Sequence, residues 1–594
     1  MSRRIPSFPW SAIFAGCAAY SVIQLCFIGL PSFIGGSEAR EAQVIEVILR
    51  SNEWVLPLRN GIIPSKPPLF HWTGAALALI AGGVSEFLAR LPSHLYALGV
   101  LVCCGYVAYQ LALLGRASEG SQHARRAAML APGILALTYG FHQMASLAVV
   151  DMSFCFCAWA AFGALLWSIR GPHEGAASQL GRGMFWILCA LGILARGPLG
   201  GALIVLLAAL GIAWVCGLRE ALRQLVQPSW GWLGFALPGC WYCLAWMRGG
   251  QAFLERQLIF ENLARVLGGE RVNSESWWFY LPSIARTSFP WGIIAMVGGA
   301  SLLTSSPTVS YRDRPLSRLS SAPIVVFLGG LLALSLAQGK RHSYALPLLP
   351  LLAVQIGIMA SAGIGRLPMA KLSRLQDIAR RTEVALSLFA AALLAAVGLG
   401  MHVEWGHQPL EGILKAGLAQ YSLRLGALML PVLVLIGCCR KVRPSMVCGS
   451  VWLLALSLMT AAITFGGVVK ATLKDFPLMT EQLELLLRPD ERLVFIKEPS
   501  DEYFDPFFFY LHRPVRIISA EAALGACEEG ALYVAHQEWF EQAFAGLPGR
   551  ATQVALVQET LHALRRDGVR GISVFRCSPT SGRTLPMEGA WHEA

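Results

Sequence analysis

Apolar runs of about 20 residues, each long enough to cross roughly 30 Å of hydrocarbon as helix, recur from Trp10 to Phe465. A transmembrane barrel would instead show alternating segments of about 10 residues, so the pattern predicts helices. Runs at about 10–34, 93–114, 127–146, 152–169, 183–195, 199–217, 230–247, 279–304, 322–337, 345–363, 383–401, 421–438 and 446–467 predict about thirteen crossings. A further run at 69–83 is short for a span. If it crossed, the basic loop from Arg116 to Arg126 would change sides, so it is expected to be interfacial or re-entrant.

The segment from Gly35 to Trp72, GGSEAREAQVIEVILRSNEWVLPLRNGIIPSKPPLFHW, breaks this pattern. It carries Glu38, Arg40, Glu41, Glu46, Arg50, Glu53, Arg59 and Lys66, a charge density that cannot sit in hydrocarbon. Ser37 reads as a helix N-cap, and Val44, Ile45, Ile48 and Leu49 at helical spacing predict a helix lying in the membrane interface. Breaker residues then predict an ordered loop ending in a second short helix. The outer loop 35–92 is the expected place of the active site.

The pattern changes again near Lys470. RLVFIKE, VRIISA and ALYVAH are short β-rich runs, TEQLELLLR and TQVALVQETLHALRRDG read as helical, and RGISVFRCS closes as a strand. The expected organisation is therefore a polytopic α-helical membrane domain over 1–469 and a small α/β domain over 470–594. Asp501, Glu502, Asp505 and His512 flank an aromatic patch, PFFFY, and have no catalytic spacing, so this patch is read as core or docking surface.

Composition agrees with the membrane reading. Only 14% of residues are charged against roughly a quarter in a soluble protein, 55% are hydrophobic, and mean hydropathy is +0.54. The net charge of +12 would suggest a polyanion partner, but Arg and Lys fall in alternate short loops, from Arg3 and Arg4 to Arg440, Lys441 and Arg443. That basicity sets topology and points to no nucleic acid. The N-terminus, MSRRIPSFPW, has no small-residue cleavage pattern, so the first run is expected to stay as an anchor, with the 470–594 tail outside. Most of the fifteen cysteines, among them Cys103, Cys104, Cys155, Cys157, Cys438 and Cys439, lie in apolar runs and read as packing residues; Cys527 and Cys577 in the tail could form a disulfide.

With that topology the unusual polar residues gather on one face. They are the acids Glu38, Asp151 and Glu261 and the cations Lys66, Arg196, Arg265, Lys340 and Arg341, with Arg271 and Tyr344 in the same outer loops. A transporter would carry ionisable residues near the midplane and on both faces. Cations of this kind suit a phosphate at the membrane surface, and a carboxylate beside them can act as general base or hold a divalent cation, the one cofactor the residues suggest. Together they describe transfer of a group from a lipid-linked phosphate. His71, His142 and His342 read as structural, and Trp277, Trp278 and Trp291 as an interfacial belt. The competing classes are a lipid or solute transporter or flippase and a non-catalytic scaffold.

The same stretches resemble the GT-C integral-membrane glycosyltransferases, within them the lipid A aminoarabinose transferase and protein O-mannosyltransferase relatives. The first outer loop is similar to their D-E-x-R-Y-A-E-I and K-P-P-L-x-Y-W patterns, VSEFLARLPS to F-x-x-R-L-P-S, SLAVVDMSF to A-R-T-D-M, LARGPLG to L-x-K-G-P, and KRHSYALPLLP to K-x-x-x-Y-x-L-P-x-x-P. The resemblance implies an inverting sugar transfer from a polyprenyl-phosphate donor to a lipid A-like lipid or a protein acceptor at the periplasmic face of a bacterial inner membrane. By it Asp151 matches the family's second-loop aspartate, Lys66 its donor-phosphate lysine, and Lys340, Arg341 and Tyr344 its late phosphate-binding motif. With the residues singled out by their chemistry, the expected site has Glu38 and Asp151 as catalytic residues and Arg40, Lys66, Arg196, Glu261, Arg265, Lys340, Arg341 and Tyr344 as substrate-binding ones. Ser37 stands where the pattern has its first carboxylate, Arg196 where it has lysine, and His71 where it has tyrosine.

Overall fold

In this computed structural model the chain is described over residues 7–366 and 444–577, with breaks at 116–119, 171–174, 228, 269–273, 293, 295–313, 499–500, 512, 514, 526–529, 545–550 and 559–570. The expected spans at 383–401 and 421–438, most of that at 279–304, and Arg271, Cys438, Cys439, His512 and Cys527 lie outside the described residues.

The chain opens with α1 (Trp10–Leu25), α2 (Gly36–Ser51), α3 (Leu69–Ala81) and the long α4 (Glu86–Gly115). Helix α2 starts one residue before the expected Ser37 cap, with Gly35 as N-cap and no side-chain cap bond. The reason is packing: a Cβ on Gly36 would stand 2.1 Å from the Glu502 carbonyl oxygen, so the tail approaches the helix start too closely for any other residue. The 13 residues of α3 rise about 20 Å, short of a bilayer core, as its interfacial reading requires.

The run expected as one span at 127–146 is two helices, α5 (Gly120–Ala136) and α6 (Tyr139–Ala145). Thr138 is extended at the break, and the Tyr139 amide donates to the Phe289 carbonyl instead of to its own helix. Then come α7 (Asp151–Arg170), α8 (Ala176–Arg196), α9 (Pro198–Cys216) and α10 (Leu218–Val226). Gly197, at φ +88°, separates α8 from α9 with no room for a side chain beside the Asn262 carboxamide. Helix α11 (Ala236–Leu254) breaks at Gly250 and runs on as a π-helix, Glu255–Ala264. The series ends with α12 (Tyr280–Thr287), α13 (Arg314–Leu336), a 3-10 turn at His342–Leu348, α14 (Leu349–Arg366) and α15 (Pro444–Lys474).

Six segments among the described residues, 86–114, 151–169, 176–196, 198–216, 342–362 and 455–486, are long and apolar enough to cross a membrane. The chain is a multi-pass helical membrane protein. Its core gathers α4, α5, α7 and α14 around the buried Trp159, whose indole donates to the Pro347 carbonyl at 2.9 Å. Cys104, Cys155, Cys157 and Cys189 are buried free thiols in that core, packing residues as expected. His142 is structural as expected, 3.0 Å from the Gln24 amide, with Tyr20 edge-on to its ring.

After α15 the chain forms α16 (Phe476–Leu486), β1 (Arg492–Ile496), α17 (Asp505–Tyr510), β2 (Arg516–Ile518), β3 (Ala531–His536), β4 (Ala551–Gln558) and β5 (Gly571–Cys577). The sheet order is β2-β1-β3-β5-β4, with β1 parallel to both neighbours and β5 antiparallel to β3 and β4. The helix expected over TQVALVQETLHALRRDG is instead β4 in its described part, 552–558. Its alternation places Val557 in the core beside Ile572 of β5, with a register shift at Gln553/Ala555, and tertiary pairing outweighs the helical reading. Cys577 is disulfide-bonded.

The tail and the 35–72 segment are clamped together. Asp505 accepts from Arg59 at 2.7 Å and from Lys497 at 3.1 Å, all three side chains at most 8% exposed, and its carbonyl accepts from Gln43. Arg40 donates to Glu502, while the Tyr510 hydroxyl accepts from the Phe33 amide and donates to Glu86. The PFFFY patch is core and docking surface at once: Phe507 and Phe508 fill the sheet's core, and Phe509 packs edge-on against Phe33 at 4.8 Å.

Candidate active site

Asp151 is the first residue of α7 and Arg196 the last of α8, so in this antiparallel pair the two ends meet, each with the charge its helix dipole favours. The two side chains form an ion pair. The Arg196 guanidinium also lies 4.2 Å from the centroid of the Tyr344 ring, from the 3-10 turn before α14. The Tyr344 hydroxyl accepts from Arg265 at 3.1 Å. Arg265 in turn donates through Nε to Glu261 Oε2 at 2.9 Å, and Lys66, on the loop before α3, donates to the same oxygen at 2.6 Å. Arg256 stands 3.8 Å from the other Glu261 oxygen. Residues far apart in sequence thus make one continuous chain, Lys66–Glu261–Arg265–Tyr344–Arg196–Asp151.

Electrostatics follow from this crowding. Burial would raise the Glu261 carboxyl, but Lys66 and Arg265 hold it at about 2. Burial lowers the Lys66 ammonium from its usual value, with Glu261 opposing and the Arg265 and Arg196 charges adding to the shift. Four cations, Lys66, Arg196, Arg256 and Arg265, face two carboxylates, Asp151 and Glu261, leaving a surplus of positive charge to receive an anion.

The other expected site residues sit beside this chain in different roles. Glu38 is buried with both oxygens engaged: Oε1 accepts from Arg90 Nε at 2.8 Å and the Ala148 amide at 2.9 Å, and Oε2 from Arg90 Nη2 at 3.1 Å. Arg90 also donates to the Ile28 and Pro31 carbonyls, so the pair ties the link between α1 and α2, α2 itself and α4 to the stretch of chain that leads into Asp151. Arg40 faces Glu41 and Glu502. Lys340 turns away to the Glu275 carbonyl at 2.9 Å, while Arg341 is exposed and within electrostatic reach of the Tyr344 hydroxyl.

Sequence reasoning singled out no role for Arg256, Arg90 or Glu41. Arg90 lay within the quoted VSEFLARLPS piece, and Glu41 one turn after Ser37; neither revealed its partner. Glu41 Oε2 lies 2.6 Å from His71 Nε2, fastening α2 to α3. His71 is thus structural as expected, and His342 likewise contacts the Ser283 hydroxyl. Among the described residues no group of three or more His, Cys, Asp or Glu side chains is placed to hold a metal ion. A cavity of about 880 Å³ opens beside the Glu38–Arg90 pair, lined mainly by apolar residues of the link between α1 and α2, of the stretch around α6 and of α15, with Lys470 also in its lining.

No family model matches the chain. It is 29% identical over 418 residues to the undecaprenyl phosphate-alpha-4-amino-4-deoxy-L-arabinose arabinosyl transferase of Pseudomonas aeruginosa (strain LESB58), covering 67% of this chain and 69% of that one. The transferase of the same name from Shewanella sediminis is 23% identical over 354 residues, covering 56% and 57%. The crystal structure of ArnT from Cupriavidus metallidurans bound to undecaprenyl phosphate superposes with a TM-score of 0.64 at 18% identity, over 95% of this chain and 98% of that one. The chain shares the fold of that structure.

Two buried acids shape the response to pH at its acid end. Burial pushes the Glu41 carboxyl up, but Arg40 and His71 bring it down to about 2, close to Glu261. Both acids are held below their unfolded value of about 4.3, so their stabilisation is complete above that pH and is lost as pH falls towards 2. These two acids should therefore steepen the fall in melting temperature below about pH 4.5, and Glu41→Gln should make that fall shallower. A thermal scan in detergent that stays level to pH 2.5 would contradict this.

Proposed function

We propose that this GT-C enzyme transfers a sugar, with inversion, from a polyprenyl-phosphate donor to a lipid A-like lipid or another envelope acceptor at the periplasmic face of the inner membrane. The observation that carries the reading is the gathering of Lys66, Arg196, Arg256 and Arg265 around Tyr344, with Asp151 at the end of the same chain of contacts. The named relatives and the undecaprenyl phosphate held by the ArnT structure support it.

In this reading Lys66, Arg265 and Arg196 receive the donor phosphate, and Arg341 reaches it from the exposed side. The acceptor oxygen forms a bond to the anomeric carbon, and the bond from that carbon to the phosphate oxygen breaks with its electron pair going to the polyprenyl phosphate. The acceptor's proton goes to a carboxylate. Asp151 is the better-placed base, because both Glu38 oxygens are engaged by Arg90 and the Ala148 amide. Glu38 then acts as a positioning residue. The chain's own cations counter the charge left on the phosphate. The 880 Å³ cavity offers apolar walls for a lipid tail.

The basic alternate loops and the Cys577 disulfide support the periplasmic placing of the site and tail, and about thirteen crossings would bring both to that side. Purified protein incubated with a panel of polyprenyl-phosphate sugars is expected to free polyprenyl phosphate with at least one of them. Movement of the intact lipid between leaflets without such release would favour the transporter reading and overturn this one.

A further inference from the structure

The position where the phosphate-binding cations converge is already filled by a carboxylate. Glu261 is 3% exposed in its side chain and meets Lys66, Arg265 and Arg256 together. Its helix, wound with five-residue hydrogen-bond spacing, aims it there, and Arg265 follows on the same face. A carboxylate in this place weakens the hold of the same cations on any other anion, and it does so in proportion to that anion's charge.

The substrate and product of the proposed reaction differ in this respect. A polyprenyl-phosphate sugar is a phosphodiester with a single negative charge, whereas the polyprenyl phosphate it leaves is a monoester approaching two, its second proton leaving near pH 6. Resting on the function proposed above, we infer that Glu261 is a specificity-determining residue, a resident anion that disfavours the dianionic product more than the monoanionic donor and so speeds release of the product.

The test compares two probes, polyprenyl phosphate and its non-transferable methyl ester, bound to purified full-length protein in nanodiscs at pH 8. Glu261→Gln and Glu261→Ala both remove the charge, and Glu261→Asp keeps it. The two neutral variants are expected to tighten on polyprenyl phosphate about tenfold and on the methyl ester only about threefold, with stronger product inhibition of turnover. The aspartate variant should keep the wild-type ratio between the probes. An equal change in both probes, or weakening of both, in the neutral variants would overturn the inference and leave Glu261 as a positioning residue for Lys66 and Arg265. Wild-type protein that binds neither probe would instead count against the phosphate site itself.

Discussion

Asp151→Asn is expected to lower sugar transfer at least about a hundredfold, the usual contribution of a positioned general base, while the protein still folds and binds donor. Asparagine keeps the shape and the helix-start position of Asp151 but cannot take a proton from the acceptor. It also leaves Arg196 without its ion-pair partner, although the Tyr344 ring still faces that guanidinium. Donor affinity should therefore hold or rise, because one more uncompensated cation faces the phosphate, so the loss falls on kcat. Single-turnover transfer in membrane vesicles, together with donor binding, separates the two. Turnover within threefold of wild type would move the base to another residue, with Glu38 the first to try.

Asp505→Ala should have the larger effect on stability. Asp505 and Lys497 are 1% exposed in their side chains and Arg59 is 8% exposed, so the substitution leaves two cations buried without a counter-charge. Breaking such an arrangement typically costs about 3–5 kcal/mol. The expected result is release of the tail sheet from the 35–72 segment, seen as early proteolysis of the tail at a temperature where the helices remain intact. Adding Lys497→Met to the variant should restore part of the loss by removing one of the stranded charges. Equal protease resistance of wild type and Asp505→Ala would show that Phe509 and Tyr510 hold the docking alone.

Much of the site was legible because a membrane chain makes its polar outliers conspicuous. Lys66, Asp151, Arg196, Glu261, Arg265 and Tyr344 all stood out from apolar surroundings, and the structure joins them in one line of contacts. Their pairwise roles were not legible, because each depends on a partner brought near only by folding. Glu38 looked like a free acid until Arg90 and the Ala148 amide closed on it, and Lys340 looked like a phosphate ligand although it bonds to the Glu275 carbonyl. Local signals failed in the same way. Residues 551–558 fit helical spacing well enough alone, and only pairing with β5 makes them a strand. The split between α5 and α6 comes from the distant Phe289 carbonyl, which nothing near Thr138 announces.

The clamp on Asp505 also dictates an order of events on the ribosome. Arg59 precedes its counter-charge by 446 residues, so at typical rates of synthesis the first loop waits roughly 20–90 s for it. Until then its guanidinium groups must stay hydrated or borrow lipid headgroups. The first loop is thus translated early and completed late, and a chain that stops short of Asp505 never closes it.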